Sequence, residues 1–216
     1  MKPVRPVYVV GGAITPFIGK FHPDFIWKKH PDFGTKENPS LEDYIVKTST
    51  DAMEACGVEA KDVDRGIVGN FVGELFNNQG HLGSMLARAH PDFAHKAFHR
   101  VEGACASGGL AVVSAIEAIA AGADIVLVVG AEVQTTRNAV VGADYLARAS
   151  HYETEREIDD FTFPCMFARR MKAYFDKYGS SPDDVAPIVA KAYENASKNP
   201  NAHMREVAMS VENAAT

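Results

Sequence analysis

The sequence predicts an α/β fold, a mostly parallel sheet whose strands are joined by crossover helices. Two observations predict it. Runs of strand length recur at Val7–Gly12 (VYVVGG), Gly66–Val72 (GIVGNFV), Ala97–Val101 (AFHRV) and Asp124–Gly130 (DIVLVVG). Segments with helical spacing lie between them, so the order reads β-α-β-α-β-α-β, and parallel neighbours need crossovers of this kind.

Val7–Gly12 is apolar, ends on glycines and is expected as a buried strand. Ile18–Pro39 is long, polar and irregular, and loops of that length tend to lie near sites or contacts. Ser40 is placed to cap a helix, with Asp43 completing a capping box. Leu41, Ile45, Thr48, Ala52 and Ala55 follow at helical spacing until Gly57 stops the run. Gly80–Ala89 is expected to be helical. Ala106–Ala121 (ASGGLAVVSAIEAIAA) is a helix whose sole charge is Glu117. A surface helix would show a polar face, so this one is expected to be buried all round, as between two sheets.

Beyond Gly130 the style changes. Ala131–Phe163 reads as a polar loop, Pro164–Tyr178 as an amphipathic helix closed by Gly179. Ser181 then caps a helix with Pro182 at its first position and Asp183 and Asp184 in its first turn. No strand is expected after it. The tetrapeptide HPDF recurs from His22, His30 and His90, at spacings that fit no repeat architecture, and reads as a turn built on Pro-Asp. No histidine spacing suggests a metal site.

The 216 residues are enough for one good-sized domain or a domain with an excursion. Apolar residues make up 46% and charged residues 23%, ordinary for a soluble globular chain. A net charge of -6 without a basic block argues against a nucleic-acid partner. The opening MKPVRPVYVVGGAITPF is cut by glycines and Pro16 and does not read as a signal peptide. No run approaches the roughly 18 apolar residues of a membrane span, so a cytoplasmic location is expected. Cys56, Cys105 and Cys165 are widely spaced and include no CxxC, which argues against a disulfide framework or a zinc site.

Cys105 is the informative one. In Val101-Glu102-Gly103-Ala104-Cys105-Ala106-Ser107-Gly108-Gly109-Leu110 a strand ends, glycine permits a sharp turn, and the cysteine falls at the start of the Ala/Gly-rich helix. A helix N-terminus favours negative charge on the sulfur and offers N–H groups to an oxyanion on a carbonyl bonded to it. Strand, turn, nucleophile and helix is a recurring way to present a catalytic side chain. Cys56 and Cys165 lie on helical patterns and read as core residues.

The stretch VEGACASGGLAVVSAIEAIAAGADIVLVVGAE resembles the nucleophile segment of the thiolases, with Gly130-Ala131-Glu132 as the turn after the following strand. GNFVGELFNNQGHLGSMLA and FARRMKAYFDKYG resemble the sterol-carrier-protein-type branch, and the similarity runs from Val7 to about Ala208. Two positions depart from it. Glu102 stands where many thiolases have Asn or Ser, and Val-Gln-Thr-Thr follows Glu132 in place of Met-Ser.

The resemblance implies a thiolase-like fold, half of a five-layer αβαβα architecture, with residues 1–130 as an N-terminal half-domain and 131–216 as the start of a helical loop domain. It implies acyl transfer between coenzyme A thioesters through an S-acyl Cys105, by Claisen condensation or by thiolysis of a 3-ketoacyl-CoA, with no permanently bound cofactor. In the family a histidine that activates the nucleophile, a second cysteine and an oxyanion-holding motif come from the second half, before which this chain reads as stopping. The expected partners are an acyl-CoA and either a second copy or a chain carrying that half, with no nucleic acid and no membrane. His81, His99 and the cations Arg169, Arg170 and Lys172 are weaker site candidates. Competing readings are a ketoacyl-synthase-type condensing enzyme and a non-catalytic, thiolase-like scaffold subunit.

Overall fold

Three strands, β1 (Arg65–Gly69), β2 (Ala97–Val101) and β3 (Val126–Gly130), form a parallel sheet in the order β2-β1-β3. Gly69 lies opposite Val101 on one side and Gly130 on the other, so all three strands end at one level. That rim is where the candidate nucleophile sits. A computed structural model gives this architecture and describes residues 5–215. The chain divides into two compact units, one of the stretch up to Ile14 with Pro39–Asn138, the other of Thr15–Asn38 with the residues from Ala139 onward.

The period of two along a strand separates the sheet's faces. Val68, Leu127 and Val129 pack with Leu41, Ile45 and Met53 of α1 (Leu41–Cys56) and with Leu82, Leu86 and Phe93. Ile67 points to the other face and packs with Ala111 and Ala115 of α3 (Ser107–Ala120). Full burial of a Val or Ile side chain contributes about 1.5–3 kcal/mol, so these two clusters hold the helices on. Asp64 links the strand starts: its carboxylate accepts from the amides of Asp124 (2.6 Å) and Ile125 (2.9 Å). Those backbone bonds, Ile125's first, hold it below the usual aspartate range.

α1 begins as its sequence requires. Ser40 caps the Asp43 amide, Asp43 returns the bond to Ser40, and Gly57 closes the helix in the left-handed region. Between β1 and β2 lie a short α2 (Gly73–Asn77) and a 3₁₀ helix at Leu82–Arg88, where one α-helix was expected over Gly80–Ala89. The 3₁₀ helix presses on β2, and a Cβ at Gly83 would lie 2.6–2.9 Å from the backbone of His99.

The three HPDF segments fold alike. In each, the histidine Nδ1 accepts from the Asp amide two residues on: 3.2 Å at His22, 3.1 Å at His30 and 3.2 Å at His90. In each, the Phe amide donates to the histidine carbonyl at 3.0 Å. The histidine thus acts as a turn acceptor, and for His30 Nε2 is left to face the Pro23 carbonyl at 3.1 Å.

In the second unit, α4 (Ala139–Leu146) and the short α5 (Tyr152–Glu155) fold where a loop was expected. Ala143 and Ala147 are buried one turn apart, and the Asp144–Arg148 pair (2.6 Å) supports the same helical spacing. α6 (Thr162–Tyr178) and α7 (Pro182–Ser197) follow as predicted, the first closed by Gly179 in the left-handed region, the second opened by a Ser181–Asp184 capping box. A short α8 (Val211–Ala214) comes last.

Two expectations of burial are corrected. Val7–Gly12 is not a strand, and Tyr8, Val9 and Val10 are 77%, 90% and 74% exposed. A strand needs a partner edge and its apolar side chains need a cover, and the described residues supply neither. Likewise α3 is not enclosed. Ser107, Ala111, Ala115 and Ala118 face the sheet, while Leu110, Val112 and Val113 on the other side are exposed.

Gly83→Ala is expected to destabilise the chain by about 1–3 kcal/mol, because the added methyl meets backbone rather than a movable side chain. Gly12→Ala, where a Cβ would meet nothing within 4 Å, is the matched control in urea denaturation.

Candidate active site

β2 ends at Val101, and five residues later the chain is in α3. Glu102 to Ala106 make the turn between them. Gly103 (φ -162°, ψ 42°) lies outside the left-handed region, Ala104 is left-handed (φ 50°), and Ala104–Ala106 form one 3₁₀ turn. A left-handed non-glycine residue costs about 1–3 kcal/mol, so something must hold it. The buried Ser107 hydroxyl donates to the Ala104 carbonyl (2.7 Å) and accepts from the Gly103 amide (3.0 Å). The Glu102 carboxylate accepts from the Ala104 amide at 2.5 Å. The Ala106 amide bonds the Gly103 carbonyl (2.9 Å), and the Ser107 amide bonds that of Ala104. The amides of Gly103, Ala104, Ala106 and Ser107 are donors in these bonds; that of Cys105 is not.

Cys105 is exposed at the middle of this turn and has no disulfide partner. Ala106, at the N-cap of α3, supplies no side-chain cap. The positive end of the helix therefore meets the turn that carries the thiol without a capping oxygen between them. The turn lies close to the sheet because position 69 has no side chain: a Cβ there would come 2.6 Å from the Ser107 carbonyl oxygen and 3.0 Å from the Gly108 Cα.

A polar network ties the same rim together. The buried Asn70 donates its side-chain amide to the Ala131 carbonyl (2.8 Å), and its side-chain oxygen accepts from the Gly73 amide (2.9 Å). The Asn70 amide reaches the Val101 carbonyl (3.2 Å). Glu132 accepts from the Phe71 amide (2.9 Å), and Arg100 donates to the carbonyls of Asn70 (3.3 Å) and Phe71 (2.9 Å) and pairs with Glu74. Glu132 is exposed as a residue, yet its carboxylate is partly desolvated, and this pushes its pKa above the usual glutamate range. The amides of Phe71 and Val72 and the charge of Arg100 oppose the shift.

Comparison with known proteins shows the family of the chain. Residues 30–214 match the family model for the thiolase N-terminal domain. The chain belongs to the thiolase family. It is 38% identical over 164 residues to the acetyl-CoA acetyltransferase of Methanothermobacter thermautotrophicus, an alignment of 76% of this chain and 42% of that protein. It is 37% identical over 161 residues to the acetyl-CoA acetyltransferase of Methanocaldococcus jannaschii, covering 74% of this chain and 40% of the relative. The chain thus spans about two fifths of the length of these relatives.

In this thiolase chain each of the other sequence candidates has its own local setting. His81 is left-handed (φ 54°) and exposed, and its carbonyl accepts from the Ser84 hydroxyl (2.8 Å) at the start of the 3₁₀ helix. His99 is exposed on β2 and gives its backbone to the contact with Gly83. Cys56 is half-buried at the end of α1, where a Cβ on Gly11 would touch its sulfur, and Cys165 is half-buried in α6. Arg169 is exposed on α6; Arg170 stacks over Phe167 (5.4 Å) and Lys172 pairs with Asp176 (2.8 Å), both within that helix. Among the described residues no three His, Cys, Asp or Glu gather as a metal site. Also among them, no helix is long and apolar enough to cross a membrane.

Sequence reasoning overlooked Asn70, Arg100 and Ser107. A polar residue directly after the Gly66–Gly69 run was the one available sign of Asn70.

The Glu132 shift gives a pH dependence with a definite sign. A carboxylate whose folded pKa is raised binds its proton more tightly in the folded chain, so its contribution to stability is fully present below the unfolded value and is lost as pH rises through the folded one. Glu132→Gln is expected to gain stability relative to the parent as pH rises above the usual glutamate range in paired urea titrations. A difference that is flat with pH would contradict this.

Proposed function

We propose that this chain supplies the acyl-accepting half of a thiolase-type acyltransferase, with Cys105 as the nucleophile. One observation carries the proposal: an exposed cysteine in a braced turn at an uncapped helix N-terminus, inside the segment that matches the thiolase N-terminal domain. The substrate is a coenzyme A thioester, with acetyl-CoA the first choice given the names of the relatives.

In the acyl-transfer half-reaction the Cys105 thiolate attacks the thioester carbonyl. The tetrahedral oxyanion collapses, the bond to the coenzyme A sulfur breaks, and S-acyl-Cys105 remains while coenzyme A leaves as its thiolate. The amide of Cys105, outside the bonds that brace the turn, is the donor we assign to the oxyanion, and the end of α3 favours the same charge. In the second half-reaction, an acyl-CoA deprotonated at its α-carbon attacks the thioester and releases the Cys105 thiolate. Thiolysis of a 3-ketoacyl-CoA is the reverse.

The groups that activate the sulfur and move the α-proton belong, on the family resemblance, to a C-terminal half that is continuous with this chain or brought by another. A dimer is the assembly we favour. No resident cofactor is needed, because both partners are thioesters.

Incubation of the purified chain with acetyl-CoA is expected to add one acetyl group, located on Cys105 by peptide mass spectrometry. Cys105→Ala is expected to abolish the adduct and to leave the circular dichroism unchanged. A folded parent chain that never acetylates would favour the scaffold reading, and an adduct retained by Cys105→Ala would remove Cys105 from its role.

A further inference from the structure

Glu102 is the position where the sequence leaves the common thiolase pattern, and the structure gives its carboxylate a definite contact. The turn before Cys105 contains a glycine, but the left-handed residue is its neighbour Ala104 (φ 50°), while Gly103 (φ -162°) has a negative φ. The glycine is used for space: a Cβ on Gly103 would lie 2.3 Å from Leu110 Cδ1. The conformation that favours glycine therefore falls on a residue with a side chain, and bonds must secure it.

Both polar groups of Ala104 are held. Its carbonyl, in the peptide plane that carries the Cys105 N–H, accepts from the Ser107 hydroxyl (2.7 Å) and from the Ser107 amide. Its amide donates to Glu102 Oε1 at 2.5 Å. Ser107 is buried and anchored in α3, whereas Glu102 is exposed and reaches the turn from the strand side. The two side chains thus fix the two peptide planes that flank Ala104.

We propose that Glu102 is a positioning residue, which holds Ala104 left-handed and so sets the direction in which Cys105 presents its sulfur and its amide. The proposal rests on Cys105 being the nucleophile for its effect on acyl transfer, but not for its effect on the turn. What matters is an acceptor oxygen at this place, not a negative charge. Glu102→Gln removes the charge and keeps an acceptor oxygen, so charge and positioning are separable.

The test compares Glu102→Ala, Glu102→Gln and the double variant Glu102→Ala with Ala104→Gly in the full chain. Two quantities are read: hydrogen exchange of the residue 104 amide by NMR, and the rate of acetyl transfer from acetyl-CoA to Cys105 by mass spectrometry. Glu102→Ala is expected to speed exchange at residue 104 and slow transfer, each by about 10-fold. Glu102→Gln keeps an acceptor and is expected to stay within about 3-fold of the parent in both. Ala104→Gly, which adopts the left-handed turn without support, is expected to restore transfer in the Glu102→Ala background while exchange stays fast. Unchanged exchange in Glu102→Ala would overturn the proposal, as would a Glu102→Gln chain as impaired as Glu102→Ala. If the parent chain itself fails to acetylate, the acyltransfer reading falls, and amide exchange alone decides whether Glu102 holds the turn.

Discussion

The direct contact between the first turn of α3 and the end of β1 is the constraint on which the site depends. It exists because residue 69 is glycine, which lets the Ser107 carbonyl and the Gly108 backbone approach where a side chain would stand. With that contact made, β2 can deliver the chain to α3 in five residues, and the only way to do so is a tight turn. The turn in turn puts a left-handed residue directly before the cysteine. Packing at one backbone position thus reaches, through three short steps, the presentation of a thiol.

The rim network serves the same end from the opposite side. Parallel strands that finish level leave their last carbonyls and amides without ladder partners. Asn70 takes up two of these groups, Arg100 two carbonyls, and Glu132 the Phe71 amide. Asn70 also bonds the Val101 carbonyl through its own amide, so the residue from which the Cys105 turn departs is fixed to the end of β1. The segments after the strands are therefore tied to one another by side chains within the rim.

Features encoded within a few residues were legible in the sequence. The Ser40–Asp43 box and the three HPDF turns rest on side chains that bond backbone two or three residues away, the Gly57 and Gly179 stops on the left-handed region that glycine enters freely, and each folds as its local pattern dictates. A turn before Cys105 was legible too, from its glycine, though not the Ser107 and Glu102 bonds that brace it. The rim was not. Its bonds join residues 61 positions apart at Asn70–Ala131 and Phe71–Glu132, and about 30 apart at Arg100, which only the register of the sheet brings together. The helix at Ala139–Leu146 was missed because its buried stripe is alanine, whose small apolar surface gives a weak periodic signal.

The two failures of burial share one cause. An apolar composition states that a segment gains by leaving water; it does not state what will cover it. For α3 the periodic part of the signal, Ala111, Ala115 and Ala118, correctly marks the face against the sheet, because small residues at that spacing suit close packing on strands. The remaining apolar positions, Leu110, Val112 and Val113, carry no direction, and within the described residues they meet no second layer. Tyr8, Val9 and Val10 behave in the same way. Their continuous apolar run suits a buried strand, yet a strand forms only where an edge offers its hydrogen bonds, and the run is tied to the sheet unit through Arg5, which pairs with Asp124, and through Gly11 against Cys56. Periodicity reports a direction of packing and composition only a tendency, so the first marks the face of α3 that meets the sheet and the second overestimated how much of the chain surrounds that helix.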